Sequence, residues 1–238
     1  MIDDLEGFAA ANPASAIYCV HASYESRIRE LGRAIPEAPS YFLKPLAALC
    51  GSGRVVRPDG TKYLCFEGEM ALLIGEDVRN VDQARARRAI VGAAAANDFG
   101  IHDFVHTDGG SLLRDKGHDG FCPVGNWIQP VDDHALLRTV VDGVECQAAT
   151  ISEMVFNPSY LVADLARFTT LHVGDIVLTG TPAGSQPLEP GSTVTVSLDG
   201  RSSVVSRVIG GDAVRFQGGA MPADTPQARH LAFGAPPE

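Results

Sequence analysis

Apolar residues gather in runs of strand length along most of the chain, and the breaks between runs fall at glycine, asparagine, aspartate and proline. Ile17-Tyr18-Cys19-Val20 and Tyr41-Phe42-Leu43 read as short buried strands, and the Glu/Arg-rich stretch between them as a short helix or a loop. Residues 64–75 form a strong strand pattern ending at glycine. Asp82 then stands at an N-cap position ahead of an Ala/Arg-rich run, which predicts a helix to about Asn97. Residues 99–120, with Thr107-Asp108-Gly109-Gly110 among them, predict a loop too long to be a simple connection. Further strands are expected at 127–128, 136–141, 176–179, 193–198 and 204–209, with turns at Asp142-Gly143 and Asp199-Gly200, and one helix over 159–168. Residues 1–15 carry no sustained period and read as a lead-in. Residues 211–238, rich in Gly, Ala and Pro, read as a tail or flap. Mostly β with few helices and no regular βαβα alternation is an α+β pattern built on a mixed sheet, not a doubly wound one.

Composition narrows the classes. With 238 residues, 45% of them hydrophobic and 20% charged, the chain can bury a substantial core. Nineteen Lys and Arg against 29 Asp and Glu leave a formal charge of −10, which repels polyanions and argues against a nucleic-acid partner. Apolar stretches such as 89–96 are too short to cross a bilayer, and Met1-Ile2-Asp3-Asp4 is no secretory leader, so the expectation is a cytoplasmic protein without a membrane partner. The five cysteines are odd in number, widely spaced and free of any Cys-x-x-Cys pair, which speaks for reduced thiols over a disulfide framework or zinc knuckle. Gly51-Ser52-Gly53 lacks the strand-to-helix setting of a dinucleotide fingerprint, and there is neither a phosphate-binding Gly-Lys-Ser/Thr loop nor a Gly-x-Ser-x-Gly elbow.

The chemistry-bearing residues are mostly acidic. Strand alternation puts Glu67 and Glu69 of Phe66-Glu67-Gly68-Glu69-Met70 on one face, where two like charges call for a cation. Asp98, at the end of the expected helix, can add a third oxygen, which makes a hard, partly open site suited to Mg²⁺, Mn²⁺ or Ca²⁺. Lys116 follows 18 residues later. His102 and His106 have the spacing of zinc ligands on a helix, but the nearby glycines argue for a loop and against that role. Phe121 and Trp127 read as core residues.

Eight segments in order resemble the fumarylacetoacetate hydrolase superfamily over about residues 17–209. They are Tyr18-Cys19-Val20, Phe42-Leu43-Lys44-Pro45, Glu67-Gly68-Glu69 leading to Leu73-Ile74-Gly75, Asn97-Asp98, Lys116-Gly117, Cys122-Pro123-Val124-Gly125-Asn126-Trp127-Ile128, Met154-Val155-Phe156, and Gly174-Asp175-Ile176-Val177-Leu178-Thr179-Gly180-Thr181-Pro182. The resemblance implies a mixed β-roll with a few peripheral helices over residues 16–210, assembled as a homodimer or higher oligomer. It makes Glu67, Glu69 and Asp98 the ligands of Mg²⁺, with Mn²⁺ or Ca²⁺ as alternatives. It makes Lys116 the cationic catalytic group and Thr181 and Lys44 substrate contacts; by charge repulsion a nearby divalent ion would lower the lysine's pKa and the carboxylates would offset part of that, which leaves its protonation state open.

Three departures bear on the reaction. Arg27 stands where many members carry the histidine of Asn-Tyr-x-x-His-x-x-Glu, while the catalytic Glu30 of that motif remains. His102 replaces an arginine, and Val105 a glutamine, in the segment after Asn97-Asp98. The Lys116-Gly117-His118-Asp119-Gly120 loop is most similar to the isomerase/decarboxylase members that act on 2-hydroxyhepta-2,4-diene-1,7-dioate and 5-carboxymethyl-2-oxo-hex-3-ene-1,6-dioate, with His118 in place of their arginine. With the dyad histidine gone, the implied activity is isomerisation or decarboxylation of a small 2-oxo or 2-hydroxy-dienoate diacid through a metal-bound enolate, in aromatic-compound catabolism. Arg27 and His102 would then meet substrate carboxylates. The alternatives are a fumarylpyruvate or acylpyruvate C–C hydrolase, and a non-catalytic metabolite-binding relative.

Overall fold

The computed structural model describes residues 2–129, 132–212 and 218–235. In chain order the elements are α1 (Leu5–Ala11), β1 (Ile17–Val20), α2 (Glu25–Glu30), β2 (Tyr41–Lys44), β3 (Leu49–Cys50), β4 (Gly53–Arg57), β5 (Leu64–Cys65), β6 (Gly68–Ile74), α3 (Gln83–Ala89), β7 (Ile90–Asn97), β8 (Gly100–Ile101), α4 (Leu113–Lys116), β9 (Cys122–Pro123), β10 (Leu136–Val141), β11 (Val144–Thr150), α5 (Pro158–Phe168), β12 (Ile176–Leu178), β13 (Thr193–Leu198), β14 (Ser202–Gly210) and α6 (Pro226–Phe233). Two five-stranded sheets form the body, one ordered β2-β1-β12-β6-β7 and the other β11-β10-β13-β14-β4. Each is mixed: β1 runs parallel to β12 and β14 parallel to β4, and the other neighbours are antiparallel. Two-stranded pairs, β3 with β9 and β5 with β8, brace the ends.

Between the sheets lies one apolar cluster in which Met70, Leu72 and Ile74 of β6 and Ala93 and Ala95 of β7 share a core with Leu137, Val194, Val196, Val204 and Val208. The opposite face of the first sheet is covered as well, where Ile17, Cys19, Ala71, Ala96, Ile176 and Leu178 pack with Ala48 and Cys122. Every residue of β6 is consequently buried. Continuous apolar runs, not alternation, are what a strand covered on both faces requires.

That double burial corrects the largest sequence expectation. Asp82 does cap a helix, accepting from Arg85 N at 2.7 Å. The helix ends at Ala89, however, and residues 90–97 form β7. Local propensity favours a helix in an alanine run. Tertiary packing overrides it here, because the run pairs along its length with β6 and buries its alanines against β13 and β14 on one face and the second apolar cluster on the other. The outer edge of β7 is not left open: Ala93 exchanges backbone bonds with Ile128, Gly125 N donates to Ala95 O, and Ser202 Oγ accepts from Ala95 N. Ile128 makes an isolated bridge to Ala93, and residues 127–128 are not a strand of their own.

Other differences are smaller. The strand pattern at 64–75 is interrupted at Phe66-Glu67, which divides it into β5 and β6. β4 and β11 form where no strand was expected. The Asp142-Gly143 and Asp199-Gly200 turns are present, with positive φ at all four residues. The lead-in contains α1, capped by Asp4. The tail contains α6, in which Thr225 accepts from Ala228 N and Pro226 occupies the first turn.

Candidate active site

The three acidic residues come together from two neighbouring strands. Gly68 pairs with Asn97 and Glu69 with Ala96 at the end of the β6–β7 ladder, so Glu67, just before β6, lies beside Asp98, just after β7. Asp98 N donates to Glu67 O at 2.8 Å, and Glu67 N donates to Asn97 Oδ1 at 2.9 Å, which ties the two strand ends together. Asp98 thus reaches the site from a strand end, not from the helix end the sequence suggested. One carboxylate oxygen from each of Glu67, Glu69 and Asp98 lies within 4.8 Å of the others, a separation that oxygens around one ion at 2.0–2.6 Å can satisfy.

Two glycines permit the approach. A Cβ on Gly68 would stand 1.9 Å from Thr139 Oγ1, so no larger residue fits between the two glutamates without moving the second sheet. Gly180 adopts φ +88° in the Thr179-Gly180-Thr181-Pro182 turn, where its N–H donates to Glu69 Oε2 at 2.7 Å. Gln147 clamps this turn: its side-chain amide donates to Thr181 Oγ1 at 2.8 Å and Pro182 O at 2.7 Å, and its carbonyl accepts from Gly68 N at 3.0 Å.

Two lysines share the carboxylates. Lys116, in the last turn of α4, donates to Glu67 Oε2 at 2.5 Å, Asp98 Oδ2 at 2.9 Å and Asp98 O at 3.0 Å. Burial opposes its charge, but Asp98, Glu67 and Asp115 outweigh that and hold the ammonium above the ordinary lysine range. Lys44 has a fully enclosed side chain bonded to Asp98 Oδ1 and to Phe99 O. It does not line the cavity, so the substrate contact inferred for it gives way to a role in holding Asp98. A buried ammonium needs such a counter-charge. Burial, with Asp98 and Glu67 nearby, pushes the Glu69 carboxyl well up. Glu67 is held low, because Lys116 and Arg27 outweigh its burial.

The three acids offer a donor set made wholly of hard oxygens, and Glu69, whose carboxyl is pushed up by burial and by its two acidic neighbours, is the one a cation would hold ionised. This fits a divalent cation, whose addition would make the centre attractive to an anionic chelating ligand.

Above the acids lies a cavity of about 290 Å³ whose wall includes Arg27, Glu67, His102, Lys116 and Thr181. Arg27, on α2, is buried; it donates to Glu30 Oε2 at 2.5 Å and Leu231 O at 3.0 Å, and its guanidinium lies 3.8 Å from Glu67 Oε1. Glu30 is engaged at both oxygens, since Gly184 N donates to Oε1 at 3.0 Å. His102 lies in a 3-10 turn over His102–Phe104 and pairs with Asp115 Oδ2 at 3.1 Å. Burial works against the imidazolium, yet Asp115 lifts its pKa to about 10, and the same pairing keeps Asp115 below the usual carboxylate range against its own burial. His106 is exposed, so the two histidines do not converge. His118 packs against Phe121 in a tilted ring pair at 4.8 Å and hydrogen-bonds Arg114 O, away from the cavity wall. Thr181 lines the cavity with its hydroxyl already donating to Gly68 O at 2.8 Å.

Residues that the sequence reading passed over include Gln147, Asp115, Gln227 and Leu231. Gln147 carries a detectable signal, a polar amide at an inward position of a strand. Gln227 and Leu231 belong to α6, which Thr225-Pro226 announces as an N-cap followed by proline at the first helical position.

Residues 16–209 match the family described as fumarylacetoacetate (FAA) hydrolase C-terminal. The chain is 34% identical over 206 residues to the oxaloacetate tautomerase YcgM of Escherichia coli, covering 83% of this chain and 94% of that protein. It is also 34% identical, over 204 residues, to a 4-hydroxyphenylacetate degradation bifunctional isomerase/decarboxylase of Escherichia coli. That second match covers 83% of this chain and 48% of the relative, so the chain spans about half its length. Among solved structures, a fumarylpyruvate hydrolase from Pseudomonas aeruginosa, in complex with Mn²⁺ and pyruvate, superposes with a TM-score of 0.79 at 26% identity, covering 84% of this chain and 91% of that one.

Proposed function

The chain belongs to the fumarylacetoacetate hydrolase family of enzymes, and from that premise we propose that it is a divalent-metal-dependent isomerase or decarboxylase of a short 2-oxo diacid. The observation that carries the reading is the pairing of a Glu67–Glu69–Asp98 triad, half-buried at Glu67 and buried at the other two, with Lys116 at the base of the cavity, under a roof whose dyad position holds Arg27 tied to Glu30.

Glu67, Glu69 and Asp98 would hold Mg²⁺ or Mn²⁺; the Mn²⁺ in the Pseudomonas structure supports the same class of ion here. When bound, that ion supplies a Lewis acid for the keto and carboxylate oxygens of a 2-oxo acid and so favours the enolate. Lys116 donates its three ammonium protons to Glu67 Oε2, Asp98 Oδ2 and Asp98 O; competition for those oxygens from an ion the carboxylates hold would free a proton at Nζ for exchange at the carbon beside the keto group. Arg27 and His102 add positive charge for the carboxylates of the substrate. Arg27 is a poor base, since a guanidinium stays protonated, and both Glu30 oxygens are engaged; neither favours activation of a hydrolytic water.

A panel of oxaloacetate, acylpyruvates and hydroxymuconate-type diacids, each assayed with and without EDTA, tests this. The expected result is EDTA-sensitive tautomerisation, isomerisation or decarboxylation. Fast metal-dependent hydrolysis of acylpyruvates with none of those activities would overturn it. That outcome belongs to a second reading, a fumarylpyruvate-type hydrolase, favoured by the retention of Glu30 over the site; on that reading Arg27→His changes the rate little.

A further inference from the structure

The match to the family ends at residue 209, yet the chain comes back over the site. Ala223 N donates to Asp103 O at 3.0 Å, beside the 3-10 turn that carries His102. Asp224 next gathers Tyr63 Oη at 2.7 Å, Lys62 Nζ at 3.1 Å and Arg229 Nε at 2.5 Å. From that anchor α6 lays Ala228 and Ala232 into a small core with Tyr63, Cys65 and Val105, and Phe233 closes it edge-on to Tyr63 at 5.7 Å. The other side of the segment grips the roof. Leu231 O accepts from Arg27 Nη2 at 3.0 Å, Ala235 N donates to Glu30 O at 2.7 Å, and His230 Nε2 hydrogen-bonds Leu31 O at 3.0 Å. Between these two attachments Gln227 and Leu231 form part of the cavity wall itself.

We propose that α6 is the specificity wall of the active site: Leu231 and Gln227 restrict the cavity to short 2-oxo acids and exclude those with longer acyl or dienyl chains, and the helix holds α2 closed over the acids. The inference rests on the 2-oxo acid reading above. Its physical basis is steric and local. A leucine side chain and an amide set against a cavity of about 290 Å³ remove volume on the side where an extended substrate would need it, and the three hydrogen bonds to α2 and the residue that follows it, one of them between backbones, keep that side from opening.

The test is a substrate series, from oxaloacetate to acylpyruvates and hydroxymuconate-type diacids, given to the full-length protein and to Leu231→Ala and Gln227→Ala. Removing a few methylene groups from a binding wall changes discrimination by about tenfold or more. The ratio of kcat/KM for long over short acids should therefore rise by about tenfold in Leu231→Ala; a ratio unchanged within about twofold would overturn the proposal. A second arm does not depend on turnover. Asp224→Ala cuts the anchor outside the cavity, and the amides of Ile28 and Leu31 in and just after α2 should then exchange with deuterium several-fold faster at unchanged global stability. Equal protection of those amides in both proteins would show that α6 does not hold the roof. If the intact chain turns over no 2-oxo acid at all, the functional reading fails, and the exchange arm still decides for or against the strap.

Discussion

Lys44 and Arg29 are both basic residues paired with a carboxylate, but they belong to regions built on different principles. The floor of the site hangs from the ends of β6 and β7, which are covered on both faces. Its lysines have side chains 0% and 5% exposed, and Asp98 is 1% exposed. The roof is a pair of short helices whose ion pairs include Arg29–Glu25, with side chains 75% and 43% exposed. In the floor a missing partner leaves a charge stranded in low dielectric, so each group depends on the next. On the outer face of the roof, though not at buried Arg27, water replaces a lost partner at little cost. The floor is therefore suited to fixed chemistry, and the roof to changing what is admitted.

The largest expected effect lies in the floor. Lys116→Ala should lower kcat by about 10²–10⁴, the range for a lost proton-transfer group, while Mn²⁺ binding measured by calorimetry persists. Retained turnover would take the proton step away from this residue. Lys44→Met should then cost about 3–5 kcal/mol in urea unfolding of the metal-free protein, because it leaves Asp98 Oδ1 and Phe99 O without their buried donor; a cost under about 1 kcal/mol would mean that Lys116 alone suffices to hold Asp98.

A third effect depends on pH. His102, raised from its ordinary 6.5 to about 10, contributes stability that is complete below pH 6.5 and fades as pH climbs through about 10. Asp115, lowered from 3.8, contributes stability that is complete above that value and fades as pH falls through its folded-state pKa. The stability gap between the wild type and His102→Gln should thus be widest between about pH 4 and 6.5 and narrow toward pH 10. A gap constant from pH 5 to 10 would mean that His102 is neutral. The smallest effect is in the roof: Arg29→Ala should change stability by no more than about 0.5 kcal/mol, and any larger loss would erase the contrast between the two regions.

Much of the site could be read from the chain because its groups carry their own signals. Two glutamates at strand spacing, an Asn-Asp pair and a Lys-Gly pair in register point to one centre, and the oxygens do converge. Lys44 resisted the same reasoning. Its motif suggests a contact with substrate, whereas its fully enclosed side chain serves Asp98, a distinction that rests on burial and not on residue type. The segment carrying α6 is legible only as a tail or flap, and its docking site is not: a Gly/Ala/Pro-rich stretch has too little apolar surface to specify where it packs, and the surface that accepts it is assembled from Tyr63, Cys65 and Val105, far away in the chain.

Local physics accounts for the hairpin turns, the helix caps and the strand over residues 193–198, since turn conformations with positive φ, cap hydrogen bonds and two-residue alternation are each settled within a few neighbouring residues. The alanine run of residues 90–97 is the opposite case. Its composition favours a helix by a fraction of a kcal/mol per residue, and what makes it a strand is the backbone of β6 on one edge and two packed faces that bury Ala93 to Ala96. Neighbours distant in sequence outvote the local preference there, and the placement of Asp98 beside Glu67, on which the site depends, follows from that outcome.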